Sequence, residues 1–312
     1  MNKLGALAVL AAAALAGGNA QAAFSFGSGV SCTACGSNGS SASDNNTQSI
    51  VGTATGTSSP IITVKATGWA NTGGNHTQGA AAGGIEQAYV STWGSLGLGM
   101  KNDDAYSADQ SSDKDIKEGN SPEHAIDNDG RFDMVMLDFS GSKIALESVT
   151  LGWTQYDADI SVLAFVGAGT PDLSTVTSWG SLGASWQVIG NYDGNASSSA
   201  VTINVNSGAV AASYWLIGAY NPVFGASATG GGTVDTCGGY GYRDYSRKSN
   251  DGYYCTSGQS NADYFKLAAV SGSLYTPPPP PPPSTGVPEP ASLALAGIAL
   301  AGLFGTRRFK RS

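Results

Sequence analysis

The residues best suited to chemistry form an acidic cluster in the middle of the chain. Eleven carboxylates and four basic residues lie between positions 101 and 138. Its candidate calcium ligands are Asp127, Asn128, Asp129 and Asp133. Calcium takes about six to eight oxygen ligands, and Gly130 would let the chain wrap the ion. Ala125 and Met136 occupy the terminal carboxylate positions of the helix-loop-helix calcium pattern, so a solvated Asx-rich turn before a strand stays the alternative.

A second group of residues with chemical potential follows Trp153. Tyr156 precedes Asp157 and Asp159, which are separated by one alanine. A sugar ring can stack on an indole while carboxylates accept its hydroxyls, so the group could form a sugar-binding face. Buried aromatic residues dominate β-sandwich cores, and the favoured interpretation is therefore a core tryptophan with a turn at the two aspartates.

No specific catalytic arrangement is recognisable. A paired-carboxylate glycosidase is chemically conceivable, but the abundance of carboxylates makes every pair non-specific. His124 lies beside Glu123 and could act as a general base, yet no serine in a nucleophile turn accompanies it. The chain is therefore predicted not to be an enzyme, with a polysaccharide hydrolase as the weakest alternative.

The four cysteines indicate disulfides in an oxidising compartment. They are Cys32, Cys35, Cys237 and Cys255. Four cysteines allow three pairings, and the favoured one joins each cysteine to its local neighbour, Cys32 to Cys35 and Cys237 to Cys255. Zinc is disfavoured because the chain has only two histidines to complete a ligand set.

Composition and charge limit the classes of partner. Charged residues make up 12% of the chain, whereas glycine contributes 44 residues. Without the two ends, ten basic residues face 22 acidic ones, a net charge near −12. Phosphate binding needs positive charge, so a nucleic-acid partner is disfavoured and none is expected. The glycine-rich composition is typical of a secreted, turn-rich β protein.

The hydrophobic pattern predicts about nine short strands and no long helix in the body. Residues 132–139 are apolar on both alternating phases, which predicts a strand buried on both faces. In residues 143–153 the apolar phase shifts between Leu146 and Val149, which predicts a bulge or a tight bend. The predicted fold class is all-β, a β-sandwich with a jelly roll as its candidate topology.

The N-terminus has the pattern of a secretory signal peptide. Lys3 precedes an apolar run, and a small-residue triplet with Ala20 and Ala22 follows. Cleavage after Ala22 would leave Ala23 as the new N-terminus, and it implies the Sec machinery as a partner.

The C-terminus combines a stiff spacer, a short apolar run and a basic cluster. Seven consecutive prolines form an extended spacer because each ring fixes φ and removes a backbone donor. The apolar residues 291–305 form a short predicted transmembrane helix, about 22 Å long against a hydrocarbon core of about 30 Å. The basic residues beyond it are expected to stay on the cytoplasmic side. They are Arg307, Arg308, Lys310 and Arg311.

The order Pro288, Glu289, Pro290, apolar run and basic cluster resembles the PEP-CTERM sorting domain of Gram-negative bacteria. The resemblance implies that an exosortase recognises and processes the chain at the inner membrane, so the chain is a substrate of that enzyme. The stretch 121–128, with Trp153 and residues 157–160, is also similar to a group of exosortase-dependent surface proteins. That second similarity implies no particular activity.

The expected role is an exported cell-surface or matrix protein of a Gram-negative bacterium, associated with exopolysaccharide or biofilm. The alternative is a calcium-dependent glycan-binding module. The expected organisation is a signal peptide at 1–22, a loop-rich segment at 23–59, a β-sandwich domain at 60–275, a proline-rich linker at 276–286 and the sorting segment at 287–312.

Overall fold

The structure, a computed structural model, consists of two compact units, Met1–Tyr275 and Thr276–Ser312. The division falls where the proline-rich spacer is expected to begin. The described residues are 21–26, 32–33, 47–52, 62–73, 84–101, 124–129, 131–195, 197–237, 240–243, 252–255, 262–277 and 294–301.

Sixteen strands occur among the described residues. The first eight are β1 Gln21–Ser25, β2 Cys32–Thr33, β3 Thr47–Gly52, β4 Ile62–Gly73, β5 Gly84–Thr92, β6 Leu98–Lys101, β7 Ile126–Asp127 and β8 Asp133–Asp138. The others are β9 Ile144–Tyr156, β10 Ile160–Phe165, β11 Trp186–Tyr192, β12 Val201–Asn204, β13 Tyr214–Ala219, β14 Tyr240–Arg243, β15 Gly252–Cys255 and β16 Asp263–Leu274.

Ten of the strands pair antiparallel in the order β11-β10-β13-β8-β4-β5-β6-β16-β9-β12, while β1, β2, β3 and β7 pair off this path and β14 pairs with β15 alone. Strand β5 pairs with β4 through residues 84–88 and with β6 through residues 89–92. It therefore connects the half of this order that ends at β4 with the half that begins at β6. Both halves contribute to one main core, with Val135 and Ile217 from the first and Leu151 and Leu267 from the second. The predicted all-β class is confirmed, whereas the jelly-roll topology stays a prediction.

Strand β8 is buried on both faces, as its sequence predicts. Val135 and Leu137 belong to the main core, whereas Met134 and Met136 join a second apolar cluster on the other face. The connection between β10 and β11 contributes Trp179 to this second cluster, and the Trp179 Nε1–H donates to a β8-side carbonyl, Phe132 O, at 2.9 Å.

The predicted irregularity after Leu146 is a bulge within one long strand. Ser148 lies opposite Ser271 and Leu146 opposite Gly272, so Glu147 is the extra residue of β9 at this point. The bulge moves Val149 and Leu151 onto the core face already used by Leu146, because side chains in a strand alternate with a period of two.

The N-terminal strand is part of the folded unit. Ala22 lies opposite Gly272 and Ala23 opposite Ser271, so the predicted cleavage site falls inside β1. Phe24 is fully buried and contacts Phe139 edge-to-face at 5.0 Å. Cleavage after Ala22 would still leave residues 23–25 paired with β16.

Within the expected loop-rich segment at 23–59, the described residues contain the rest of β1, together with β2 and β3. The sequence basis of β1 is local, because Phe24 and Phe26 alternate with serine and enter the core. Strand β3 contains the β-branched residues Ile50 and Val51, which favour extended backbone. Because glycine and serine are abundant around these short runs, the composition of the segment does not indicate strands there.

The second unit contains a helix, α1, at residues 294–301. The helix lies within the apolar run that is expected to enter the membrane. No helix among the described residues has the length and apolarity needed to cross a membrane, and the helix predicted at 291–305 extends beyond the described residues.

Candidate functional site

The candidate site is built around the turn between β9 and β10. Tyr156 ends β9 with a φ of 60°, which turns the chain. Asp157 then accepts the N–H of the next residue, Ala158, at 2.9 Å. Asp157 is half-buried and Asp159 is buried. The favoured interpretation of these aspartates as a turn agrees with this geometry.

The carboxylate of Asp159 joins two distant loops. Its Oδ1 accepts the Gly194 N–H at 3.1 Å and its Oδ2 accepts the Asp235 N–H at 3.0 Å. The approach at Gly194 requires glycine, because a Cβ there would lie 2.0 Å from Ala158 O. Asp159 therefore holds the loop after β11 and the loop before β14 against the start of β10.

Asp263 and Asn128 form a buried reciprocal pair behind Asp159. The Asn128 Nδ2–H donates to Asp263 Oδ2 at 2.5 Å, and the Asp263 N–H donates to Asn128 Oδ1 at 2.8 Å. Asp263 also accepts the Asp159 N–H at 2.6 Å, and Asn128 donates to Tyr220 O at 2.9 Å. These bonds link the start of β16, the end of β7 and the turn into β10.

Three carboxylates converge on the surface of this network. Carboxylate oxygens of Asp157, Asp159 and Asp235 lie within 4.8 Å of one another, and we call these three residues the acidic centre. Asp157 is half-buried, Asp159 buried and Asp235 exposed. Oxygen ligands from several carboxylates are what a hard divalent cation such as calcium prefers.

Electrostatics at the acidic centre favour a bound proton or cation. Burial first, and then the charge of Asp157, raises the pKa of Asp159 to about 7. Burial also raises the pKa of Asp157, with the charges of Asp235 and Asp193 adding to the shift. Burial, followed by the charges of Asp159 and Asp157, raises the pKa of Asp263 well above its usual value. Ionised together, these groups repel one another across a poorly solvated site.

Three of the four predicted calcium ligands, Asp127, Asn128 and Asp129, take part in hydrogen bonds outside the acidic centre. Asp127 accepts the Asp129 N–H at 3.1 Å, which is the Asx turn of the alternative interpretation. Asp129 accepts the Tyr264 hydroxyl, while Asn128 holds Asp263. Asp133 is fully buried at the start of β8. Calcium binding by these four residues stays a prediction.

Aromatic rings pack around His124, which begins the described segment 124–129. His124 stacks on Trp93 with ring centroids 4.2 Å apart. Lys266 places its Nζ 4.6 Å from the Trp93 ring and 5.0 Å from the Trp153 ring, and it donates to His124 O at 2.8 Å. Trp153 packs against a small buried cluster that includes Tyr264. The structure thus places His124 and Trp153 in packing contacts rather than at the acidic centre.

Sequence reasoning missed Asp235 and Asp263. Asp235 follows a glycine-rich stretch and is 76 residues from Asp159, and no local pattern marks it as a neighbour. Asp263 begins a strand and has the same lack of signal. By contrast, residues 126–128, Trp153, Asp157 and Asp159 all pair or hydrogen-bond with the first residues of β16.

Cys237 is disulfide-bonded and buried in the small cluster with Tyr264. Its partner is not among the described side chains. The hairpin of β14 and β15 pairs Tyr240 with Cys255, which brings the backbone of Cys255 close to the chain that leaves Cys237. The pairings Cys237–Cys255 and Cys32–Cys35 stay predictions, and Cys35 lies outside the described residues.

The predicted processing residues lie largely outside the described residues. Ala22 and Ala23 lie in β1. Those outside are Ala20, Pro288, Glu289, Pro290, Arg307, Arg308, Lys310 and Arg311.

The family model described as the PEP-CTERM protein-sorting motif matches residues 286–310. No curated protein and no solved structure matches the chain. The chain therefore carries a PEP-CTERM sorting motif in its second unit, as the sequence predicts. The motif indicates a bacterial protein that is exported, targeted by an exosortase and sorted to the cell surface.

Proposed function

We propose that this chain is a non-enzymatic surface or matrix protein of a Gram-negative bacterium that associates with exopolysaccharide or biofilm. In this proposal the Sec machinery exports it, the C-terminal tag engages the inner membrane transiently, and an exosortase removes the tag. The observation that carries the proposal is the sorting motif at residues 286–310.

The organisation of the chain supports a C-terminal tag that the exosortase recognises and then removes. The motif belongs to a compact unit separate from the folded body. In helix α1, Leu295, Ile298 and Leu300 are 67%, 72% and 58% exposed. Exposed apolar side chains on consecutive turns of the helix favour recognition in an apolar environment over exposure to water.

The decisive experiment replaces Pro288, Glu289 and Pro290 with alanines and follows the protein in cells. Export should remain, but the protein should stay in the membrane fraction with its tail attached, because the exosortase no longer recognises it. Replacing the spacer residues Pro279, Pro280 and Pro281 with alanines provides the matched control. Mass spectrometry of both termini measures the outcome.

A different result would reject the proposal. If the variant without the motif reaches the surface with the wild-type C-terminus, the tag is not the processing signal. Neutralising the basic cluster should act differently, since it weakens retention at the membrane and lets some uncleaved chain escape. The basic residues to be changed are Arg307, Arg308, Lys310 and Arg311.

The acidic centre favours a second candidate function, a calcium-dependent glycan-binding module. Asp157, Asp159 and Asp235 provide clustered oxygen ligands, and Tyr156 beside them is 46% exposed. A cation held there would relieve the repulsion between the carboxylates and offer coordination positions to sugar hydroxyls. Calcium titration followed by glycan binding with and without chelator tests this candidate. Binding that is unaffected by chelator would exclude it.

A further inference from the structure

A polar row crosses the outer face of three neighbouring strands. Lys65 on β4 lies opposite Asp138 on β8, and Asp138 lies opposite Tyr214 on β13. Two residues further along the strands, the corresponding row contains Met136 and Leu216, which belong to the second apolar cluster. The outer face of the sheet therefore changes from apolar and covered to polar and open at the row of Lys65, Asp138 and Tyr214.

Two cavities lie at this row and share Tyr214. The larger one has a volume of about 580 Å³ and is lined by the row itself, with Trp69, Glu86 and Asp172 among its other walls. The smaller one, of about 320 Å³, lies along Tyr214 and is lined in part by Lys143. Tyr214 lines both cavities, so the two are neighbours, and we call the pair the groove; each has a volume in the range of small-molecule sites.

The groove is held in shape by the protein itself. The Tyr214 hydroxyl hydrogen-bonds with Thr170 Oγ1 at 3.3 Å, and its ring meets Phe165 edge-on at a centroid distance of 6.0 Å. Asp172 accepts the Ser174 N–H at 3.0 Å and the Ser174 hydroxyl at 2.6 Å, which fixes the loop at the rim. A pre-formed groove loses little entropy when a ligand enters.

The lining indicates a ligand that is rich in hydroxyls and carries no strong charge. Glu86, Asp138 and Asp172 supply carboxylate acceptors, and Lys65 and Lys143 supply donors, so the charges nearly balance. The half-buried Tyr214 lines both cavities and supplies an aromatic ring. An acidic polymer is disfavoured by the negative charge of the body.

We propose that the groove along Tyr214 binds a segment of a neutral polysaccharide chain, with the sugar rings passing over the tyrosine. This inference rests on the proposed matrix role, and it names the surface that would contact the matrix. The groove lies on side chains separate from the acidic centre, so its binding does not require calcium.

Affinity electrophoresis of the mature protein recovered from cells tests the proposal. The gels contain hydroxyethylcellulose, galactomannan or dextran as neutral probes, and alginate as an acidic one. At least one neutral gel should retard the protein, and alginate should not. Tyr214→Ala should weaken that retardation roughly tenfold, because an aromatic contact is worth about one factor of ten in affinity. Tyr214→Phe keeps the ring and should stay within about twofold of the wild type.

Tyr275→Ala is the matched control, since Tyr275 is 47% exposed and lies outside the groove. Circular dichroism checks that each variant is folded. Absence of retardation in every neutral gel overturns the proposal, as does retardation that chelator abolishes or that Tyr214→Ala leaves intact. C-terminal processing is measured on the same protein, so a failed groove with normal processing leaves the sorting function standing.

Discussion

The folded body and the C-terminal tail use apolar residues in opposite ways. In the body, residues such as Phe24 and Leu267 are fully buried in one core. In the tail, Leu295 and Ile298 are 67% and 72% exposed on helix α1. Buried apolar side chains therefore stabilise the body, whereas the tail contains a motif that another protein recognises. Changes in the body should therefore alter unfolding without altering processing, and changes in the tail should do the reverse.

The largest effect on stability is expected from Phe24→Ala. Phe24 is fully buried against Phe139, and truncating a buried phenylalanine costs about 3–5 kcal/mol. Thermal unfolding of the purified protein measures the loss, with Tyr275→Ala as an exposed control. Molecules that fold should still be processed at the C-terminus. A wild-type melting temperature for Phe24→Ala would mean that β1 is not part of the stable body.

Removing the disulfide at Cys237 should have the next largest effect. If Cys237 pairs with Cys255, the bond closes a loop with 17 residues between the cysteines, worth about 3 kcal/mol in the chain-entropy model. Cys237→Ser and Cys255→Ser should then destabilise the body equally, and Cys32→Ser is the comparison. Non-reducing peptide mapping that finds Cys255 as a free thiol would disprove the pairing.

Calcium should stabilise the body and leave the tail unchanged. A ligand at one hundred times its dissociation constant stabilises the folded state by about 2.7 kcal/mol. Melting temperatures in millimolar calcium and in excess chelator measure the effect. Asp157→Asn should remove it if the acidic centre is the site, whereas Asp129→Asn should remove it if the predicted loop is. Identical melting temperatures in both solutions would count decisively against calcium.

The acidic centre should also make stability depend on pH. Because the pKa of Asp159 is raised to about 7, the folded state holds this proton more tightly than the unfolded chain does. The resulting stability is fully present below the ordinary pKa of an aspartate and is lost as pH rises through about 7. Lowering the pH from 8 to 5 should therefore strengthen this part of the fold.

Asp157→Asn should weaken that dependence. The variant keeps an oxygen to accept the Ala158 N–H, yet it removes the charge that raises the pKa of Asp159 the most. We expect a gain at pH 8 of about 0.5–1 kcal/mol, since solvent screens part of the repulsion. Thermal unfolding between pH 5 and pH 8 measures the slope, with Asp172→Asn as control. An unchanged slope would show that Asp157 does not repel Asp159.

The smallest effect on stability is expected from deleting residues 276–312. The tail forms its own compact unit, so its loss should shift the melting temperature by no more than about 1 °C. The same deletion should abolish retention in the membrane fraction. A marked loss of stability would show that the tail supports the body, and the comparison between the two regions would fail.

Several predictions succeeded because their signals are local. Burial of β8 on both faces follows from the run of apolar residues at 132–139. The bulge at Glu147 follows from the phase shift between Leu146 and Val149. The β1 strand escaped notice because only Phe24 and Phe26 mark it within a glycine- and serine-rich segment.

The sorting motif, the signal-peptide pattern and the all-β class were determined by the sequence alone, since each is a property of neighbouring residues that a linear chain displays. The acidic centre and the groove were decided only by the tertiary structure. Asp235 reaches Asp159 across 76 positions, and Lys65, Asp138 and Tyr214 align because three strands far apart in sequence share one register. Register depends on how whole strands pack and pair, so no local pattern contains it.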